Sequence, residues 1–291
     1  HVRRGEAASA DRCARLVLGQ GTALIFSGGA ARGLAHLGAW RAITELGIDV
    51  DATAGVSLGS LLAAGVAIDL PPDELTDQVR ERLVAERGLV DFTFPWVALL
   101  RGEGVSRRLR EVGRGWSFEQ TWRPFLCTSC DLTTGEIVEH RRGPLWEAVR
   151  ASVSIPGILP PVRSGDRLLV DGAVRDNLPI ATLRAAHPTP MRVIAVDVGK
   201  EGRFTAGDTP DGGHVSGWRL MARRLHPRRS DPGVPSIASM VMRVVELAGD
   251  EPSAPADVLI RPDLSELSLG DFECIDDFEQ AGYEATITAL G

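Results

Sequence analysis

Gly55-Val56-Ser57-Leu58-Gly59 lies between an apolar run of strand character, residues 50–54, and an apolar run of helical character that opens at Leu58. A G-x-S-x-G stretch in this setting reads as a strained strand-to-helix elbow, where a side chain at either glycine collides with the turn itself. The elbow lifts the serine hydroxyl out of the sheet edge, and the first turn of the following helix offers partial positive charge to a developing anion. Ser57 is therefore a candidate nucleophile on an α/β fold.

Strand-like and helix-like segments alternate on both sides of the elbow. Residues 22–26 read as a strand, and 31–46 carry Leu34, Leu37, Ala42, Ile43 and Leu46 at helical spacing before Gly47. Pro71-Pro72 breaks the helix after the elbow and starts another through about residue 85, with Asp73 and Glu74 in its favourable first turn. Residues 92–100 read as a loop packed over the core, 105–112 as a helix and Ser117-x-x-Gln120 as a capping box. A hairpin joins 125–130 to 137–140 through Thr133-Thr134-Gly135. Beyond it the pattern gives a helix over 144–153 with proline in its first turn, a strand over 168–170, a helix over 178–186 capped by Asn177, and a strand over 192–198. Helix, strand and helix over 236–248, 258–260 and 276–290 complete it. Such alternation predicts a mostly parallel central sheet covered on both faces. Residues 1–21 read as an N-terminal extension, and 22–291 as one domain interrupted by a Gly-, Pro- and Asp-rich insertion near 199–235. A segment of that length reads as a lid or a disordered insertion.

The 291 residues are 44% hydrophobic and 24% charged, enough for a large core, and the net charge of −7 argues against nucleic-acid partners, which require a basic footprint. The four cysteines form no disulfide framework and point to a reducing, cytoplasmic compartment. Cys127 and Cys130 fall on one expected strand, on opposite faces, and read as buried thiols rather than zinc ligands. Residues 52–68 are uncharged but rich in Gly, Ala and Ser, a buried core helix rather than a membrane span. A start at His1 without methionine reads as a fragment or a processed chain.

Ser27-Gly28-Gly29-Ala30-Ala31-Arg32-Gly33 also joins a strand to a helix, so its amides are placed to cradle an anion. Dinucleotide binding is the competing reading, because Asp49 and Asp51 follow Gly28 at about the spacing of a ribose-binding acid. Ala30 in place of the middle glycine, and a serine elbow at the end of the next strand, favour an oxyanion cradle. A serine needs a base. None of His1, His36, His140, His187, His214 and His226 sits where a triad histidine would, whereas Leu168-Leu169-Val170 delivers Asp171-Gly172-Ala173 to a strand's C-terminal end. Burial would raise the Asp171 pKa and make it a useful base. Asp131, Asp176 and Asp197 read as turn or cap residues, and Arg32 as an ion-pair or phosphate-steering group. A Ser-Asp-His triad with Asp197 and His226 remains a second reading.

Gly28 to Gly33, Gly55 to Gly59 and Asp171-Gly172-Ala173, in this order, resemble the patatin-like phospholipase family. Val149-Arg-Ala-Ser-Val-Ser-Ile-Pro-Gly157, Leu159-Pro-Pro161, Asp176-Asn-Leu-Pro179 and Asp91-Phe-Thr-Phe-Pro95 are similar to its neuropathy target esterase branch. The resemblance implies a patatin-like three-layer α/β/α domain. It also implies a Ser57 nucleophile, an Asp171 base and an oxyanion hole from the backbone of Gly28, Gly29 and Ala30, with no metal or cofactor. The implied substrate is a lysophospholipid or related lipid, its acyl group passing to water or to another lipid. Ala30 stands where the family has glycine, so a positive φ there would be strained. That departure implies lowered activity, changed acyl preference, or a lipid-binding or regulatory module that retains only the fold. The branch often carries a cyclic-nucleotide-binding region before the catalytic part, which 1–21 is too short to be, so an N-terminal regulatory domain is expected upstream. Residues 218–229, with Trp218, Arg219, Arg223 and Arg224, form a basic amphipathic stretch suited either to peripheral lipid contact or to a solvated loop.

Overall fold

The computed structural model describes residues 7–84, 91–113, 115–199, 216, 237–248, 252–267 and 269–291. In chain order these form α1 (Ala7–Leu18), β1 (Gly21–Phe26), α2 (Ala35–Glu45), β2 (Ala52–Gly55), α3 (Leu58–Ala67), α4 (Pro72–Val79), α5 (Glu103–Val112), β3 (Phe125–Asp131), β4 (Glu136–His140), α6 (Leu145–Ser152), β5 (Val162–Ser164), β6 (Arg167–Asp171), α7 (Ile180–Ala186), β7 (Met191–Val196), α8 (Ile237–Ala248), β8 (Val258–Ile260) and α9 (Ile275–Leu290). The strands pair in the order β5-β6-β3-β2-β1-β7-β8, with β4 also on β3. The run from β3 through β8 is parallel, while β4, β5 and β6 join antiparallel.

β1 is almost entirely buried because helices cover both its faces, which leaves no solvated side to alternate toward. Leu24 and Phe26 pack on one face with Leu37, Ile43, Leu62 and Phe278 from α2, α3 and α9. Ala23 and Ile25 pack on the other with Ile180 and Leu183 of α7 and Leu16 of α1. The expected layering is therefore present, and no described helix is long and apolar enough to cross a membrane.

The edges of β3 decide where the site forms. β4 occupies one edge along residues 127–131. The other edge is shared: β2 runs parallel to residues 125–127, and β6 meets residues 129–131 from the opposite direction. β2 and β6 thus point their C-terminal ends at each other, with Gly55 opposite Cys127 and Asp171 opposite Ser129. Only about 7 Å of strand separates those rungs.

Several details depart from the sequence pattern. The helix expected over 31–46 begins as a 3-10 turn, Ala30–Leu34, and becomes α-helical only at Ala35. The Arg32 amide bonds back to the Gly29 carbonyl while that of Ala31 reaches across to Leu269, so the first turn is shaped by the glycine loop. β5 was not foreseen; it is a three-residue edge strand with exposed Arg163 and Ser164, too short and polar to show alternation. The residues before β1 include α1, docked where Arg15 donates to both oxygens of the fully buried Asp51 at 2.7–3.1 Å. Apart from Gly199 and Ser216, the insertion of 199–235 lies outside the described residues, as do Trp218, Arg219, Arg223 and Arg224.

α2 and α9 touch backbone to backbone. A Cβ at Gly38 would overlap the Glu279 carbonyl, and one at Gly282 would overlap that of Ala35. Overpacking a well-filled contact typically costs about 1–3 kcal/mol. Gly38→Ala and Gly282→Ala should each lower the urea midpoint by at least that equivalent at unchanged m-value.

Candidate active site

Ser57 adopts φ 53° and ψ −131°, a strained conformation for a residue with a side chain. Neighbours impose it. A Cβ at Gly55 would strike the Gly59 carbonyl, and one at Gly59 would strike the carbonyls of Phe26 and Ser27, so the elbow is pressed against the end of β1. The Ser57 amide donates to Ser152 Oγ at 3.0 Å, and its carbonyl accepts from the Ser60 amide at 2.9 Å and hydroxyl at 2.6 Å.

Asp171 ends β6 facing the elbow, 1% exposed. Its amide donates to the Ser154 carbonyl at 3.0 Å, its Oδ1 accepts from the Ala173 amide at 2.9 Å, and the Ser57 side chain lies near enough to its carboxylate to favour the ionised form. Burial pushes its pKa up to about 7, the Ser57 side chain and the Ala173 amide only partly opposing it. Between about pH 4 and 7 the native protein therefore holds a proton here that the unfolded chain has lost, so this group's effect is to lower the stability of the fold as pH rises through that window.

The glycine turn closes the site from the β1 side. A Cβ on Gly28 would come within 3.0 Å of Ser57 Cβ and 2.7 Å of Asn177 Oδ1. Asn177, expected as a helix cap, does something else. Its Oδ1 accepts from the Gly28 amide at 3.0 Å and its Nδ2 donates to the Gly28 carbonyl at 3.2 Å, while Pro179 takes the cap position of α7. The Gly28 N–H is thereby occupied. Among the described residues, the amides of Gly29 and Ala30 donate to no protein acceptor. Ala30 has φ 46°, the strained conformation anticipated for it. Behind the turn, His36 Nε2 donates to the Ser27 carbonyl at 2.9 Å from a ring stacked on Phe26. Burial lowers the His36 pKa to about 4, so the ring is neutral and serves as a fixed support.

The dinucleotide reading finds no support in the geometry, and the other candidate residues have these surroundings. Asp49 and Asp51 precede β2 and both bind Arg15, at the strand end away from the glycine turn. Asp197 accepts from Arg261 Nε and the Gly199 amide, each at 3.0 Å, while its suggested partner His226 lies outside the described residues. Asp131 and Asp176 close local turns by accepting from the amides of Thr133 and Leu178. Arg32 Nε donates to the Leu267 carbonyl at 3.4 Å. Cys127 and Cys130 are buried free thiols. Ser152 carries no local signal of its partner, and the local signal of Asn177 is that of a cap, so the actual partners of both appear only once the chain is folded. α8 lies over the site, with Val241 and Val245 on Val56 and Ala173.

Fold and site define an α/β/α domain of the serine-elbow class, with a buried aspartate at the facing strand end. The chain belongs to the patatin-like phospholipase family, whose profile matches residues 24–184. An uncharacterised NTE family protein of Mycobacterium tuberculosis is 33% identical over 288 residues, covering 95% of this chain and 48% of that protein. Lysophospholipase NTE1 of Saccharomyces cerevisiae is 30% identical over 282 residues, covering 94% of this chain and 17% of that protein. The chain thus spans about half the length or less of these relatives. The crystal structure of VipD from Legionella pneumophila aligns with 92% of this chain and 66% of its own at TM-score 0.49 and 12% identity.

Two substitutions test these strains. Asp171→Asn removes a carboxylate whose ionisation costs the fold on the order of 4 kcal/mol above pH 7; its stability advantage over wild type should grow from pH 4 to 7 and then level off in denaturant titrations. Ala30→Gly relieves about 1–2 kcal/mol of left-handed strain against about 0.5–1 kcal/mol of added unfolded-state entropy, so a small rise in thermal midpoint is expected.

Proposed function

We propose that this domain is a serine esterase that cleaves the acyl ester of a lysophospholipid or a related lipid. Ser57 Oγ attacks the ester carbonyl as Asp171 accepts its proton, and the amides of Gly29 and Ala30 hold the oxyanion. The Gly28 amide, committed to Asn177, shapes the turn instead of donating to substrate. The tetrahedral adduct collapses to an acyl-enzyme, and Asp171 returns its proton to the departing alcohol. Water then attacks, giving its proton to Asp171; collapse releases the fatty acid as that proton returns to Ser57. If the hydroxyl of a second lipid replaces water, the same steps transfer the acyl group.

The observation that carries this reading is a buried aspartate facing the serine elbow across the β2–β6 junction, its pKa pushed up to about 7 by burial and drawn back in part by the Ser57 side chain. A base half-ionised at neutral pH combines availability with proton affinity. The naming of a yeast relative as a lysophospholipase supports the lipid substrate. The greater length of the relatives supports a regulatory region outside this chain. The basic stretch 218–229, with Trp218, Arg219, Arg223 and Arg224, is our proposed site of peripheral lipid contact.

A fluorophosphonate should label the wild type at Ser57 and leave Ser57→Ala unlabelled; labelling of both would remove Ser57 from the reaction. Because the carboxylate must be ionised to act, kcat/KM on a lysophospholipid should rise with pH and level off above about 7. Asp171→Asn should lose about 10²–10⁴-fold in kcat, the usual contribution of a general base.

A further inference from the structure

One cavity of about 600 Å³ lies outside the machinery just described, walled by α3, α4, α5 and α6. That volume is within the range of pockets that bury an entire small ligand. Its lining is mostly aliphatic and aromatic, including Leu61 of α3 and Ile68 just past its end, Val105 and Leu109 of α5, and Val149 of α6. The opposite side of α3, with Leu62 and Val66, packs into the sheet core, so this helix divides the core from the cavity.

Two helices connect the cavity to the serine. Ser57 caps the start of α3, which presents Leu61, one turn on, to the cavity. α6 approaches from the other direction: Val149 lines the cavity, and one turn later Ser152 Oγ accepts the Ser57 amide. Both walls therefore come within about one helical turn of the residues that hold the nucleophile, and Ile68, just past the last turn of α3, belongs to the same lining.

We infer that this cavity receives the acyl chain of the substrate and that its reach along α3 sets the preferred chain length, an inference that rests on the ester chemistry proposed for Ser57. From Ser57 to Ile68 the helix advances about 16 Å. Three bonds of extended peptide cover about 3.5 Å, so a polymethylene chain in the same zigzag fills that distance with about 14 carbons. Longer chains meet the far wall, and shorter ones leave apolar surface uncovered.

The test is a series of p-nitrophenyl esters with acyl chains from butanoyl to octadecanoyl. The wild type should show kcat/KM rising to a maximum near dodecanoyl or tetradecanoyl; a profile independent of length overturns the inference. Val105→Trp, on a helix that carries neither Ser57 nor Asp171, fills the cavity. It should lower the dodecanoyl-to-butanoyl ratio of kcat/KM by about tenfold or more, since single methylenes in apolar pockets count for that much. An unchanged ratio overturns the inference, and a ratio measured on one preparation cancels any loss of folded protein. A binding measurement separates this inference from the function beneath it. Ser57→Ala should bind a fluorescent fatty acid that dodecanoate displaces and butanoate does not. Absence of such binding overturns the cavity assignment even where the wild type hydrolyses short esters. Chain-length-dependent binding without hydrolysis of any ester by the wild type sustains the cavity and overturns the esterase.

Discussion

The end-on meeting of β2 and β6 along one edge of β3 is the constraint on which the site depends. In an all-parallel arrangement, the next strand along would carry its C-terminal residue to the same rim but one full strand spacing away. Here β6 enters antiparallel, and its last side chain faces the turn that leaves β2. The carboxylate of Asp171 is placed by pairing register, a property of backbone hydrogen bonds that side-chain motion does not alter. Its burial follows from the same arrangement, because a group at the junction of two strand ends lies inside the sheet's covering layers. Proximity to Ser57 and an elevated pKa thus share one geometric cause.

The site is held in an unfavourable conformation by polar groups that have no other exit. Ser57 and Ala30 both occupy the left-handed half of backbone space. Ser152 fixes the amide of the first, and Asn177 and His36 brace the turn that contains the second. Each brace is a buried hydrogen bond whose loss would leave an unsatisfied group, so strain and support are coupled.

Much of this was legible in the chain. The elbow announced itself because two glycines flank a serine between apolar runs, and the structure shows carbonyl oxygens where each Cβ would stand. Asp171 was legible because an apolar strand ran directly into it. Asn177 was misread because an asparagine before a helical pattern has a strong local meaning as a cap, and its actual partner, Gly28, is 149 residues away in sequence. β5 was missed for the opposite reason, having too little local pattern to register. The roles of Asp49 and Asp51 turned on α1, whose Arg15 shows no sequence sign of which acid it will meet. Local geometry is written locally; long-range polar pairing is not.

The contact between α2 and α9 bears on where this unit can be divided. The family profile ends at residue 184, before β7, β8 and α9. A chain cut there would strip β1 of its β7 neighbour, uncover the face of α2 that holds Gly38, and leave Leu24 and Phe26 without Phe278. The smallest piece able to stand alone therefore extends well past the stretch that kinship makes recognisable. Gene fusions and natural rearrangements that keep this core intact must carry its last helix with it.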